Sequence, residues 1–272
     1  MNVSVVLPSF NRARLLPITI PTYFQEDVSE VILVDDCSSD NTAEVVKELQ
    51  TRFPTLRYFR NEVNSKQPYT QNVAISKVQS EYIYFGDDDS VLYPGSIRNL
   101  LNVMREKNAD IVGGRALALF FPEQIDELDE FLSHYRNRIA TEANQIVDLS
   151  TLSTNFTYTV KEPIRVPFCH ASCLCKTQVA REMQFDVKIE GNAYREETDF
   201  LIRATLAGYT IYYTSSANQI NLPSAMCSGG ARSKNHRHWA ENAIRNNDYF
   251  IDKNYDSMQK MFSLPQIGRA HV

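Results

Sequence analysis

A chain of 272 residues with 43% hydrophobic and 11% aromatic side chains suffices for one large α/β domain or two small ones and can build a sizeable core. Its 28 Lys and Arg against 33 Asp and Glu give a net charge of −5 without a long basic run, which argues against nucleic acid as a partner; "ARSKNHRH" at 231–238 is a local exception. No stretch approaches the roughly 18 uncharged apolar residues of a membrane span, since the longest candidate, "DIVGGRALALFFP", is broken by Arg115 and ends at Pro122.

The first 115 residues alternate short apolar runs with longer amphipathic ones, the pattern of strands joined by helices into a mostly parallel sheet. Strands are predicted at "VSVVLP" (3–8), "EVILVDD" (30–36), "LRYFRN" (56–61), "EYIYFGDDD" (81–89) and "DIVGG" (110–114). Between them, "SSDNTAEVVKELQTRF" opens on Ser and Asp capping residues and sets Val46 and Leu49 on one helical face. "YTQNVAISKVQ" and "PGSIRNLLNVMREKN" also read as helices, the second with Pro94 in its first turn. Past residue 115 the pattern loosens: "PEQIDELDEFLSHYRNRIATEA" predicts an exposed helix, and 144–175 alternates like strands and loops without a clear period. "YREETDFLIRATLAGYTIYY" (194–213) then predicts a helix closed by Gly208 and followed by a strand. Glu196, Glu197 and Asp199 lie in its first turn, where the helix dipole favours acids, a fully structural account of them.

Five cysteines, an odd number, fit free thiols in a reducing compartment. The opening "MNVSVVLPSFNR" enters a strand pattern directly, without the charged start and apolar segment of a signal peptide, so a cytoplasmic location is expected. Cys169, Cys173 and Cys175, with His170 between them, have a zinc-like composition, but Cys173 and Cys175 alternate as in a strand and no second pair follows, so a metal is not expected there.

In open α/β sheets, ligands bind beyond the carboxyl ends of the strands. Here the first strand ends in "PSFNR", the second in Asp35 and Asp36, and the fourth in Asp87, Asp88 and Asp89. Like charges so close together need a counter-charge or open water, and a divalent cation, which takes oxygen ligands, would make them favourable. Two acidic clusters at one sheet edge are harder to assign to solvated turns than either alone. No G-x-G-x-x-G and no P-loop is present, which argues against a dinucleotide or a simple NTPase site.

Four segments, "VSVVLPSFNR", "VILVDDCSSDNT", "YIYFGDDDSVLYPG" and "REETDFLIRATLAGY", resemble in order and spacing the inverting glycosyltransferases of family 2 and together span residues 3–213. The resemblance implies the GT-A fold, an α/β architecture with a Rossmann-like, mostly parallel central sheet flanked by helices. In it, residues 1–115 form the nucleotide-sugar-binding half, and 116–266 form the acceptor-binding and catalytic-base half with a C-terminal helical segment. It also implies a nucleotide-sugar donor, most commonly a UDP-sugar, a divalent metal (Mn2+ or Mg2+) and transfer of a hexosyl group to an acceptor hydroxyl.

Position by position, the resemblance implies that Pro8, Ser9, Asn11 and Arg12 belong to the nucleotide pocket, that Asp36 bonds the base with support from Asp35, and that Asn72 lies near the donor. Gln71 stands where the family often has Arg. Asp87 and Asp89 would be the acids of the D-x-D element, with Asp88 near the ribose and Asp89 the first choice as metal ligand, followed by Asp87. Glu196 and Glu197 match the family's Glu-Asp pair, which makes Glu197 the catalytic base, or Glu196 if the longer Glu side chain shifts the role. Arg232 and His236 match residues that close over the diphosphate, although a solvated basic loop accounts for them equally well.

The implied acceptor is a glycan, a lipid-linked sugar or another hydroxyl compound in polysaccharide or glycolipid assembly, which leaves peripheral association with the cytoplasmic face of a membrane open. The alternatives are a non-catalytic nucleotide-sugar-binding relative on the same fold and, with less support, a sugar nucleotidyltransferase. The latter usually carries a Gly-rich loop after the first strand, where "PSFNRARLLP" has no glycine. The final "IGRAHV" (267–272) matches a common sequencing adapter read in one frame and is expected to be a non-native tail.

Overall fold

The computed structural model describes residues 2–227 and 236–265; the proposed non-native tail at 267–272 lies outside them. The first half runs β1 (Val3–Ser9), α1 (Leu16–Tyr23), β2 (Val28–Asp35), α2 (Thr42–Arg52), β3 (Leu56–Arg60), α3 (Lys66–Lys77), β4 (Tyr82–Phe85), β5 (Ser90–Leu92), α4 (Ser96–Glu106) and β6 (Ile111–Ala118). A 3-10 turn (Pro122–Glu127) leads into α5 (Leu128–Ser133), α6 (Ala143–Ile146) and the small ribbon of β7 (Val147–Asp148) with β8 (Ser153–Thr154). β9 (Ile164–Arg165), β10 (Cys173–Lys176), α7 (Thr177–Met183), α8 (Glu196–Leu206), β11 (Ile211–Asn221) and α9 (His236–Phe262) complete the described chain.

The main sheet has the order β3-β2-β1-β4-β10-β6-β11-β5, with β9 against β11. β1 pairs in parallel with β2 and β4, β2 with β3, and β6 with β11, whereas β10 runs antiparallel between β4 and β6, and β5 and β9 run antiparallel to β11. The mostly parallel, helix-flanked sheet expected from the sequence is therefore present. It runs through both halves, because β10 and β11 come from beyond residue 115.

Both faces of the sheet are covered, which is why its central strands are apolar at almost every position. Val5 and Leu7 of β1 point to a core shared with Ile20 of α1, Leu49 of α2 and Leu100 of α4. Val6 points to the opposite core, with Ile75 of α3, Ala180 of α7, Phe200 of α8 and Phe250 of α9, as the two-residue period of a strand requires. Cys169, Cys173 and Cys175 are buried in that second core, and all five cysteines are free thiols.

Four sequence expectations change. β4 stops at Phe85, so Asp87, Asp88 and Asp89 sit in a loop between β4 and β5 and not on a strand. Pro94 precedes α4, whose N-cap is Gly95 in the left-handed region (φ 79°), a conformation glycine adopts without strain. The exposed helix expected at 122–143 is a 3-10 turn followed by six helical residues. Ile125, Leu128, Phe131 and Leu132 pack on a third apolar cluster with Leu15, Val91 and Leu222, and the charged run that follows offers no apolar face to continue the helix. Finally, α1 was not anticipated: "LPITIPTY" contains two prolines, yet Leu16, Thr19, Ile20 and Tyr23 form a buried helical stripe.

Candidate active site

The carboxyl ends of β1, β2 and β4 converge on a cavity of about 430 Å3, within the range of small-molecule sites. Pro8, Ser9, Arg12, Asp36, Asp87, Asp88 and Asp89 line it, as do Asn64, Lys66 and Gln67. Its far wall is Gly191–Ala193 together with His238, Trp239 and Asn242 of α9.

The acid loop is held from several elements. The Tyr23 hydroxyl donates to the Asp87 carbonyl (2.8 Å) and accepts from the Asp87 amide (3.1 Å), which ties the loop to the end of α1. The Asp87 carboxylate accepts from Gln219 Nε2 (2.8 Å) and Ser172 Oγ (3.0 Å). Leu222 N donates to the Asp89 carbonyl (2.9 Å). Gly86 precedes the acids where a Cβ would lie 2.7 Å from Leu7 Cδ2 and 2.9 Å from Tyr23 Cε1, so a larger residue would press on these two buried side chains.

Arg12 answers part of the charge: its Nε lies 3.3 Å from Asp88 Oδ1 and an Nη lies 3.3 Å from Asp89 Oδ2. Even so, burial lifts the Asp88 pKa to about 7, against the pull of Arg12 and with help from the charges of Asp89 and Asp87. Burial therefore makes Asp88 harder to ionise than a carboxylate in water. Among the described residues, no three His, Cys, Asp or Glu side chains converge into a metal-ligand group. Asp87 and Asp89 on the cavity wall are oxygen donors, the type that binds Mn2+ or Mg2+ together with substrate phosphates. The donor set fits such an ion.

Asp35 and Asp36 take different roles. Asp36 accepts from Asn61 Nδ2 (2.9 Å) and from the amides of Ser65 and Lys66 (both 2.8 Å), shaping the 61–66 loop while lining the cavity. Asp35 is fully buried and accepts from Ser38 N (2.8 Å), Tyr58 Oη (2.7 Å) and Arg60 (2.8 Å), so it supports the wall from behind. Asn11, in the left-handed region (φ 55°), accepts from Ser39 N (2.7 Å) and braces the loop after β1. Asn72 exchanges two hydrogen bonds with the Phe185 backbone (2.9 and 2.8 Å), away from the cavity. The neighbouring Gln71 is buried, and its Oε1 has no partner among the described residues.

α8 brings up the second acidic group. Its Asp199 is structural: it accepts from Arg203 Nε (2.7 Å), Lys253 Nζ (3.0 Å) and Asn254 Nδ2 (2.9 Å), which lock α8 to α9. Glu196 is buried, with an Oε2 that has no partner among the described residues, and its pKa is pushed well up by burial and then by the charges of Glu197 and Asp87. Glu197 is half-buried; burial raises its pKa, with a further contribution from Asp87. Both glutamates therefore feel the acid loop. Glu197 lines a second cavity of about 350 Å3, with Phe156, Phe168, His170, Tyr194 and Arg195. The segment 191–198 separates the two cavities, its first residues facing the first and its last the second. Backbone strain concentrates there, with Ala193 at φ 56° and Arg195 at φ 75°.

Arg232 lies outside the described residues, and of His236 only its place at the start of α9 is described. Residues the sequence did not single out are Tyr23, Ser172, Gln219, and His238, Trp239 and Asn242. The basic stretch before α9 was noticed, but nothing in it indicated which helical residues would face the cavity.

Three comparisons bear on this geometry. A glucosyltransferase of Campylobacter jejuni, named as acting on GalNAc(5)-diNAcBac-PP-undecaprenol, is 33% identical over 114 residues, 41% of this chain and 37% of its own. The poly(ribitol-phosphate) β-N-acetylglucosaminyltransferase TarP of Staphylococcus aureus is 32% identical over 121 residues, 42% of this chain and 36% of its own. These matches thus span under two-fifths of either relative's length. The crystal structure of S. aureus TarS 1-349 in complex with UDP-GlcNAc superposes with a TM-score of 0.61 at 15% identity, covering 96% of this chain and 73% of that one, a likeness of fold. With β2, β4, the acid loop and β6 all inside residues 4–173, the segment matched by the "Glycosyl transferase family 2" model, the chain belongs to glycosyl transferase family 2.

Proposed function

We propose that this protein transfers a hexosyl group from a UDP-sugar to an acceptor hydroxyl with inversion, in a reaction that depends on a divalent metal. The observation that carries the reading is the pair of adjoining cavities, one lined by Asp36 and the acid loop, the other by Glu197, with the charge of Asp87 felt at Glu197. The donor nucleotide would occupy the first, its base near Asp36 and its diphosphate near Arg12 and Lys66. Asp89, with Asp87, would hold the metal. A bound Mn2+ or Mg2+ supplies positive charge to a leaving diphosphate.

In the proposed step the acceptor oxygen attacks the anomeric carbon and Glu197 takes the hydroxyl proton. The bond from that carbon to the β-phosphate oxygen breaks, and its electron pair leaves on the nucleoside diphosphate. Asp88 remains next to Arg12 and the ribose. Glu196 is placed to shape the electrostatics of its neighbour, because its own buried carboxyl is costly to ionise.

The names of the relatives support a hexose or N-acetylhexosamine donor and a glycan or lipid-linked acceptor, hence polysaccharide or glycolipid assembly. Among the described residues, no helix is long and apolar enough to cross a membrane. Calorimetric titration with UDP, GDP and dTDP, each with Mn2+ and with EDTA, tests the reading. Metal-dependent binding of UDP is the expected result, and a folded protein that binds none of the three would overturn it. UDP binding without sugar transfer would identify a non-catalytic relative.

A further inference from the structure

The second cavity has a chemistry of its own. Phe156 and Phe168 form an apolar wall, the hydroxyl residues Ser153 and Thr154 lie along it, and Glu197 and His170 share it. The His170 ring stands edge-on to Phe156, with centroids 5.9 Å apart and planes at 76°, a packing that fixes its orientation. Its Nδ1 accepts a hydrogen bond from the Ser172 amide (3.2 Å). A neutral ring that accepts at Nδ1 carries its proton on Nε2, so it offers one hydrogen-bond donor and no charge. Burial holds the His170 pKa at about 4, so the ring stays neutral near pH 7. The same Ser172 donates its hydroxyl to Asp87 (3.0 Å), so one short segment supports both His170 and the acid loop.

An apolar wall with few fixed polar groups suits a hydroxyl-rich ring, which presents a C–H face to the aromatics and oxygens to the donors. Resting on the function proposed above, we infer that His170 is an acceptor-binding residue: its Nε2–H holds a hydroxyl oxygen of a neutral sugar or polyol unit in this cavity and so presents a neighbouring hydroxyl to Glu197. The ring takes no proton in the reaction.

The test uses the whole protein with UDP and Mg2+. The probes are methyl β-D-glucopyranoside and methyl 2-acetamido-2-deoxy-β-D-glucopyranoside, with 2-methoxytetrahydropyran as a ring control lacking hydroxyls. In 15N-histidine NMR spectra, His170, assigned by its loss in His170→Gln, is expected to show the Nε2–H tautomer and a saturable shift with at least one glycoside but not with the control. In His170→Phe the glycoside affinity should fall about five- to tenfold, the worth of one neutral hydrogen bond. His170→Gln, which keeps a donor, should recover part of it, and UDP affinity should stay within about twofold in both variants. The inference is overturned if neither glycoside shifts His170, if the hydroxyl-free control shifts it equally, or if His170→Phe binds glycoside as tightly as the parent. Loss of UDP binding in both variants would also overturn it, since His170 would then be structural. Failure of the parent protein to bind UDP would instead sink the function on which the inference rests.

Discussion

As the proposed base, Glu197 must be ionised to accept a proton, and its half-buried position makes ionisation harder than in water. Since burial raises its pKa, with Asp87 adding to the effect, the transfer rate should fall as the pH drops through a midpoint above the ordinary glutamate value of about 4.3. Glu197→Gln should keep donor affinity and lose about 10²- to 10⁴-fold in transfer, the usual worth of a general base. Glu196→Gln replaces a buried carboxyl that already resists ionisation, so it should retain transfer within a few-fold; a loss as large as that of Glu197→Gln would move the base to Glu196. Gly86 offers a purely steric test. A methyl group there meets Leu7 and Tyr23 below 3 Å and presses on the tyrosine whose hydroxyl holds the Asp87 backbone, so Gly86→Ala should weaken metal-dependent UDP binding in calorimetry. Asp89→Ala should abolish the difference between Mn2+ and EDTA in the same titration.

Packing between elements decides how the two acidic groups meet. Phe85 at the end of β4 sits edge-on to Phe185 (5.5 Å) and Phe200 (5.7 Å), and Phe185 stacks on Phe200 at 4.6 Å. This triad joins the strand before the acid loop to the helix that starts with Glu196 and Glu197. Phe200→Ala should cost about 3–5 kcal/mol in chemical denaturation, the usual range for emptying a buried aromatic site. α9 is attached through charge: Lys253 bonds both Asp186 (2.5 Å) and Asp199 (3.0 Å), and Tyr249 donates to Asp186 (2.8 Å). Burial works against an ionised Asp186, but the hydrogen bonds from Lys253, the Lys188 amide and Tyr249, with the charge of Lys253, overcome it and hold its pKa down at about 2. Because the folded value lies below the unfolded value of about 3.9, this contribution is fully present above about pH 4 and is lost as the pH falls towards 2. Asp186→Asn should therefore lower the melting temperature at pH 7, and the gap to the parent should close under acid. A gap of constant size down to pH 2 would contradict the assignment.

At the scale of the whole molecule, α9 comes from the far end of the described chain to wall the first cavity, and Trp239, the chain's sole tryptophan, lies on that wall with 43% of its surface exposed. Adding UDP with Mg2+ should change its fluorescence with the same midpoint as calorimetry, and an unchanged spectrum at saturation would place the nucleotide elsewhere. Much of the first half was legible from the residues in order. Hydrophobic period, capping residues and the runs ending in Asp36 and Asp89 are local signals, and local signals predict strands, helices and the sheet edge where acids gather. α1 escaped because its two prolines mask its helical stripe, and the helix expected after Pro122 broke off where its apolar face ended. Sequence by itself determined the fold class, the order of the motifs and the acids at the strand ends. Only tertiary structure decided that Asp36 faces the cavity while Asp35 props its wall, that Asn72 serves the Phe185 backbone, and that Ser172 and Gln219, 85 and 132 positions away, hold Asp87. The reason is physical: a hydrogen bond between distant positions depends on how the sheet and its helices pack, and neither periodicity nor capping chemistry carries that information along the chain.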